Sequence, residues 1–168
     1  MGESYVSFEA ALQFHGFFDQ YLNAVISVSP GAYSGREFQG IDYRFIKAKS
    51  ELYYGFEEKR VDGYLVKIAT VEKAMLDLIN FRRTAYSVDL VLECLREHGS
   101  AFDAARLNEY IAKQSLAVRR IMGYLLDLAG LDSEQVHATV KKVSGPTFML
   151  KNSKDFNARW RLYVPPRA

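Results

Sequence analysis

Hydrophobic positions along the chain follow two periods, and the change from one to the other falls at Thr70. Tyr64, Val66 and Ile68 alternate with residues of the opposite face, as in a half-buried strand. From Val71 onward the apolar set becomes Val71, Ala74, Met75, Leu78 and Ile79, a single stripe of a helix. Thr70 stands where its hydroxyl can cap that helix, and Glu72 puts a negative charge in the first turn, where the helix dipole favours it. Lys73 and Asp77, four residues apart, are expected on the polar side as an exposed pair worth ~0.3 kcal/mol.

Ahead of this hinge the pattern is strand-rich. Ser7 is positioned to cap a short helix over Phe8 to His15, with Phe8, Ala11, Leu12 and His15 on one face and Gly16 as the stop. Ala24 to Ser29 is an apolar strand ended by Pro30-Gly31, and residues 31–40, with three glycines, read as a loop. Strands are expected over Ile41 to Lys47, Leu52 to Glu58 and Tyr64 to Ile68. Asp62-Gly63 suits a two-residue hairpin turn, whose central positions both need positive φ. Sequential strands joined this way predict an antiparallel meander without βαβ units.

Beyond the hinge the period is helical. Ser87 is expected to cap a helix running to His98-Gly99 and burying Val88, Val91, Leu92 and Leu95. Asp103 caps the next, with Phe102 stapled onto Leu107. Ser115 opens the strongest stripe, Val118, Ile121, Met122, Leu125 and Leu128, which Gly130 closes, and Leu131-Asp132 repeats the staple toward Val136. Ser144-Gly145-Pro146 ends the helical run. Thr147 to Leu150 and Arg159 to Val164 then read as strands, the second with Trp160, Leu162 and Val164 on one face and Arg159, Arg161 and Tyr163 on the other. The predicted class is α+β. An N-terminal small sheet, mixed or antiparallel, with a short helix precedes a helical subdomain of four to five helices and a C-terminal strand pair. No repeat or linker divides residues 1–168, so a single domain is expected, sheet-rich over 1–69 and helix-rich over 70–168.

Composition narrows the chemistry. Half the chain is apolar (49%), a quarter is charged (25%) and the net charge is only +2, so the total demands no nucleic-acid partner. The 11 Tyr and 11 Phe gather mainly before residue 87, suggesting sheet faces or a contact surface. Cys94 is the only cysteine, which excludes an internal disulfide, makes a cysteine-based zinc site implausible and marks Cys94 as a small core residue. Met1-Gly2-Glu3-Ser4 lacks the basic start of a signal peptide, and no apolar run approaches the ~18 residues of a membrane span, so a cytoplasmic protein is expected.

Candidate catalytic groups are sparse. No phosphate-binding glycine loop occurs, and His15, His98 and His137 each lack a second ligand three or four residues away, so neither metal nor cofactor is expected. Asp42 with Glu57-Glu58-Lys59 on an adjacent strand loosely matches the acidic-x-Lys arrangement of metal-dependent nucleases, in which two carboxylates hold Mg²⁺ and a lysine meets developing charge. No proline precedes Asp42, and a charge run beside a hairpin turn is ordinarily a solvated tip. Basic groups near the C-terminus are the better contact candidates: Arg119 and Arg120 on one helix, then Lys151, Lys154, Arg159, Arg161 and Arg167 against Asp155 alone, interleaved with Trp160 and Tyr163. Such a set suits nucleic acid or an acidic protein face. Arginines flanking a strand on a solvated face account for it as well.

Four stretches together carry a resemblance. Tyr5-Val6-Ser7-Phe8-Glu9-Ala10-Ala11-Leu12-Gln13-Phe14-His15-Gly16 resembles the start of the C-terminal domain of AbiEi-type antitoxins of bacterial type IV toxin–antitoxin, or abortive-infection, systems. Ile68-Ala69-Thr70-Val71-Glu72-Lys73-Ala74, with Asp77, resembles that family's IA-x-x-EKA-x-x-D segment. Arg119-Arg120-Ile121-Met122-Gly123-Tyr124-Leu125-Leu126 resembles its arginine-led GYLL helix, and Arg159-Trp160-Arg161-Leu162 its closing strand. The four stand in register over nearly the whole chain.

The resemblance implies a non-catalytic accessory of phage defence that counters a nucleotidyltransferase-type toxin, by contact with the toxin or at its target. In the family an N-terminal winged helix binds the operon's own promoter. Only four residues precede Tyr5 here, so operator DNA binding is not expected of this chain. The contact residues expected on this reading are Arg119, Arg120, Lys151, Arg159, Trp160 and Arg161. Two other readings stand beside it: the sensing or dimerisation domain of a transcriptional regulator and, more remotely, the metal-dependent nuclease.

Overall fold

The computed structural model describes residues 3–166. Met1 and Gly2 of the N-terminal tetrapeptide and Arg167 of the basic series lie outside the described residues. The class is α+β, and the chain divides into two compact units, Met1–Asp77 and Leu78–Ala168.

The first unit is built on a six-stranded sheet. Its elements are β1 (Tyr5–Val6), α1 (Phe8–Phe14), β2 (Ala24–Ser29), β3 (Arg36–Phe38), β4 (Ile41–Lys47), a 3₁₀ turn (Ser50–Leu52), β5 (Phe56–Val61), β6 (Tyr64–Ala69) and the first turns of α2 (Val71–Phe81). The strands lie in the order β3-β4-β2-β1-β6-β5. The β5–β6 hairpin turns on Asp62-Gly63, φ 48° and 83°, the two-residue turn that those residues predict. The meander, however, stops there. β4 does not adjoin β5; β2 runs parallel to β4 from Ala24 opposite Asp42 to Ser29 opposite Lys47, and β1 runs parallel to β6. The side chains explain this mixed order. The last four residues of β2, Ile26 to Ser29, are all buried, as a central strand requires, whereas the charged run of β5 suits an edge.

Three local readings are corrected. Within the expected loop over residues 31–40, Arg36–Phe38 form β3 and pair with β4 through a second two-residue turn, Gln39-Gly40, at φ 51° and 78°. The strand expected over Leu52 to Glu58 is displaced to Phe56–Val61, behind the 3₁₀ turn and Gly55 at φ 79°. Ser7 makes no side-chain cap on α1, because its hydroxyl is engaged elsewhere.

The second unit contains α3 (Ala85–His98), α4 (Ala104–Ala112), α5 (Leu116–Leu128), α6 (Glu134–Val140) and three short strands, β7 (Thr147–Phe148), β8 (Asp155–Asn157) and β9 (Leu162–Val164). Asp103 and Ser115 cap α4 and α5 through Arg106 N–H and Val118 N–H. Thr84 rather than Ser87 caps α3, and Ser87 N–H is the group it accepts from. Val88, Val91, Leu95, Leu107, Ile111, Val118, Ile121, Met122, Leu125, Val136 and Val140 are buried, so the predicted helical stripes face the core, with Leu92 and Leu128 only half-buried. The expected strand pair is a three-stranded sheet in the order β7-β9-β8. The strand expected from Arg159 begins only at Leu162, since Arg161 takes φ 49°, outside strand conformation, and residues 159–161 form a turn. Among the described residues no helix is long and apolar enough to cross a membrane.

Candidate functional site

The polar residues of the strand-to-helix hinge are inside the first unit. Thr70 Oγ1 accepts from Lys73 N–H at 3.3 Å, which caps α2 as the sequence predicts. Lys73 and Asp77, expected on the surface, are fully buried. The Asp77 carboxylate accepts from Lys73 Nζ at 2.5 Å, from Tyr5 Oη at 3.0 Å and from Ser7 Oγ at 2.6 Å. Lys73 Nζ also donates to Tyr5 Oη at 2.9 Å and lies 4.8 Å from the centroid of the Tyr54 ring. Tyr5 in turn stacks on Phe56 at 4.9 Å. Burial pushes the Asp77 carboxyl above the usual carboxylate range, against the pull of Lys73 and the hydroxyls; burial and the Asp77 charge push the Tyr5 phenol up. The periodicity predicts a polar face at 73 and 77, but strand β1 and Ser7 supply the partners that make burial of both charges affordable.

A second polar network ties the second unit together. Arg120 is buried, and its guanidinium donates to the Val143 carbonyl at 2.8 Å, the Gly145 carbonyl at 2.7 Å and Thr147 Oγ1 at 2.9 Å. Burial, then the neighbouring Arg161 and Arg119, pull its pKa below the ordinary arginine value. Trp160 is also fully buried; its indole N–H donates to Asp127 at 2.7 Å. A Cβ placed on Gly123 would lie 2.1 Å from that indole, so the glycine of the GYLL helix is the seat of the Trp160 ring.

The six residues expected to meet a partner thus separate. Arg120 and Trp160 are interior groups that no partner can touch. Arg119 is half-buried, with one Nη donating to the Thr139 carbonyl at 3.1 Å. Arg159 is held by Glu134 at 2.6 Å and by Asp127 at 3.3 Å, and the Glu134 hydrogen bond raises its pKa. Lys151 and Arg161 are exposed, as is Arg159 beside its carboxylates. Chain pattern alone missed an aromatic row beside them: Phe148, Tyr163 and Phe156 are cross-strand neighbours on one face of the C-terminal sheet. Two-to-three-residue strands are too short for a periodic signal to reveal it.

The nuclease arrangement does not assemble. Asp42 on β4 and Glu57 on β5 are four strand positions apart, about 19 Å at the usual spacing, and pair locally with Arg44 and Lys59. His15 is bonded to the Ala69 carbonyl at 2.8 Å, His137 packs edge-on to Trp160 and His98 lies 3.9 Å from Glu97. Among the described residues no group of three or more His, Cys, Asp and Glu could hold a metal ion. The second unit also contains an apolar cleft of about 490 Å³ lined by Val88, Leu92, Tyr124, Leu128 and Met149, with Asp89 and Arg96 as its charged groups.

No family model matches the chain, and no curated protein does. Among solved structures it is similar to the RV2827C protein from Mycobacterium tuberculosis, with a TM-score of 0.61 at 13% identity. The match covers 96% of this chain and 62% of that one, so the chain spans about three-fifths of the length of the protein it resembles. At that identity the likeness is one of fold.

Proposed function

We propose that this chain is a non-catalytic antitoxin-like protein of a bacterial type IV toxin–antitoxin system, countering a nucleotidyltransferase-type toxin. The observation that carries the reading is how the four resembling stretches pair in space. Tyr5 and Ser7 of the first close on Lys73 and Asp77 of the second. Gly123 of the third seats Trp160 of the fourth, and Arg120 and Arg161 share the Val143 carbonyl. Residues that recur together in a family for the sake of its fold are expected to meet in this way, far apart in sequence and in contact inside each unit. The polar groups of the motifs are then structural, and countering a toxin falls to the surface, by contact with the toxin or at the toxin's target. Lys151, Arg159 and Arg161 are the exposed members of the expected contact set, and Arg159 is already held by Glu134 and Asp127. Co-expression of the chain with a cognate toxin, followed as growth, tests the proposal: growth resumes if the chain is an antitoxin and stays arrested, with the chain soluble and folded, if it is not.

A further inference from the structure

The small C-terminal sheet has two unlike faces. Leu162, Val164 and Met149 point into the core, while Phe148 and Phe156 on the other face are about half exposed, at 53% and 52%. Tyr163, between them on the central strand, lies 4.6 Å from Phe148 with the ring planes only 12° apart, and 5.0 Å from Phe156. Phe148 and Tyr163 form a short upright stack. Among the described residues β7 is an edge strand of this sheet, and no further strand pairs with it on the side of Phe148 turned away from Tyr163.

Cations flank this row on both sides, at the two ends of the strands that carry it. At one end, Arg161 precedes β9 and donates to the Val143 carbonyl, which brings the segment carrying Lys142 beside it. At the other, Lys154 N–H donates to the Val164 carbonyl, and Lys151 lies in the turn between β7 and β8. All four side chains are exposed. From Lys141 to Pro166 there are six cationic residues and a single acid, Asp155, although the whole chain carries a net charge of only +2.

We propose that this face binds single-stranded nucleic acid, with a base completing the aromatic stack on Phe148 and with Lys142, Arg161, Lys151 and Lys154 meeting phosphates on either side. Stacking on aromatic side chains combined with a cationic track is how single strands are held without sequence readout. Three of the four flanking cations are lysines, in which protein–protein interfaces are depleted and which phosphate contacts use. This binding does not depend on the antitoxin reading and is measured without any toxin.

The full chain is titrated into a fluorescein-labelled oligouridylate of about twelve nucleotides, and anisotropy is followed between about 50 and 200 mM salt. Saturable binding that weakens with salt is expected. The double variant Phe148→Leu, Phe156→Leu keeps apolar bulk but removes the rings, and should weaken binding about ten-fold without changing the salt slope. Lys151→Glu with Lys154→Glu should weaken binding and flatten that slope. If the leucine pair unfolds by circular dichroism, Phe148→Leu alone is read in the same way. The proposal is overturned by no binding at the lower salt, as a face built for a protein would give. It is equally overturned by a folded leucine variant that binds like the parent, or by a duplex of equal length that competes as well as the single strand.

Discussion

Removing either charge of the Lys73–Asp77 pair leaves the other buried without its counterion. Asp77→Ala should therefore cost about 3–5 kcal/mol, far above the ~0.3 kcal/mol of an exposed helical pair. The double change Lys73→Met, Asp77→Leu should recover part of that loss, but not all of it. Tyr5 and Ser7 would still lack their acceptor, at about 1–3 kcal/mol for each unsatisfied hydroxyl. Urea midpoints of the two variants decide the matter; a single variant as stable as the parent would contradict the buried network. Cys94 gives a residue-scale test of a different kind. Burial pushes its thiol from 9.0 up to about 11. The unfolded chain then releases that proton at a lower pH than the folded chain, so this group's contribution is intact below pH 9.0 and declines as pH rises toward about 11. At about pH 8 a thiol reagent should label Cys94 only after denaturant is added, and fast labelling of the folded chain would place the residue nearer solvent.

Elements were legible where a local signal set them. The stripe of α5, its Ser115 cap and the Asp62-Gly63 turn all follow from residues within a few positions of one another. Gln39-Gly40 forms the same kind of turn as Asp62-Gly63, yet glutamine has none of the local hydrogen-bonding that marks aspartate there, so β3 was hidden in an apparent loop. Strand order was equally out of reach, because the insertion of β1 and β2 between β4 and β6 depends on distant pairing rather than on any turn. Among the candidate contact residues, Arg120 and Trp160 read as surface because an arginine pair on a helix and an aromatic set between arginines usually mean that. Their burial depends on the Val143 and Gly145 carbonyls and on Asp127. Gly123 is the most exacting position of α5: Gly123→Ala would drive a methyl into Trp160 and should cost about 3 kcal/mol or more, despite alanine's better helix propensity. Thermal unfolding followed in the near ultraviolet reads this directly through Trp160. An unchanged midpoint would mean that the ring has room to move.

At the scale of the whole molecule, most of the polar residues that carry the resemblance are engaged within the two units, and what is left for recognition is the surface. Exposed charges contribute little to stability, so Lys151→Glu with Arg161→Glu should change the unfolding free energy by no more than about 0.5 kcal/mol for each substitution. The same double reversal should weaken any contact that the C-terminal basic face makes. That separation of folding from function is sharpest in a growth assay. Cells expressing the cognate toxin are followed with the parent chain, with the double reversal and with an empty vector, at matched soluble levels of the two proteins. If the chain is an antitoxin acting through this face, the parent restores growth and the reversal restores much less. Growth arrest as deep with the folded parent as with the empty vector would contradict that reading.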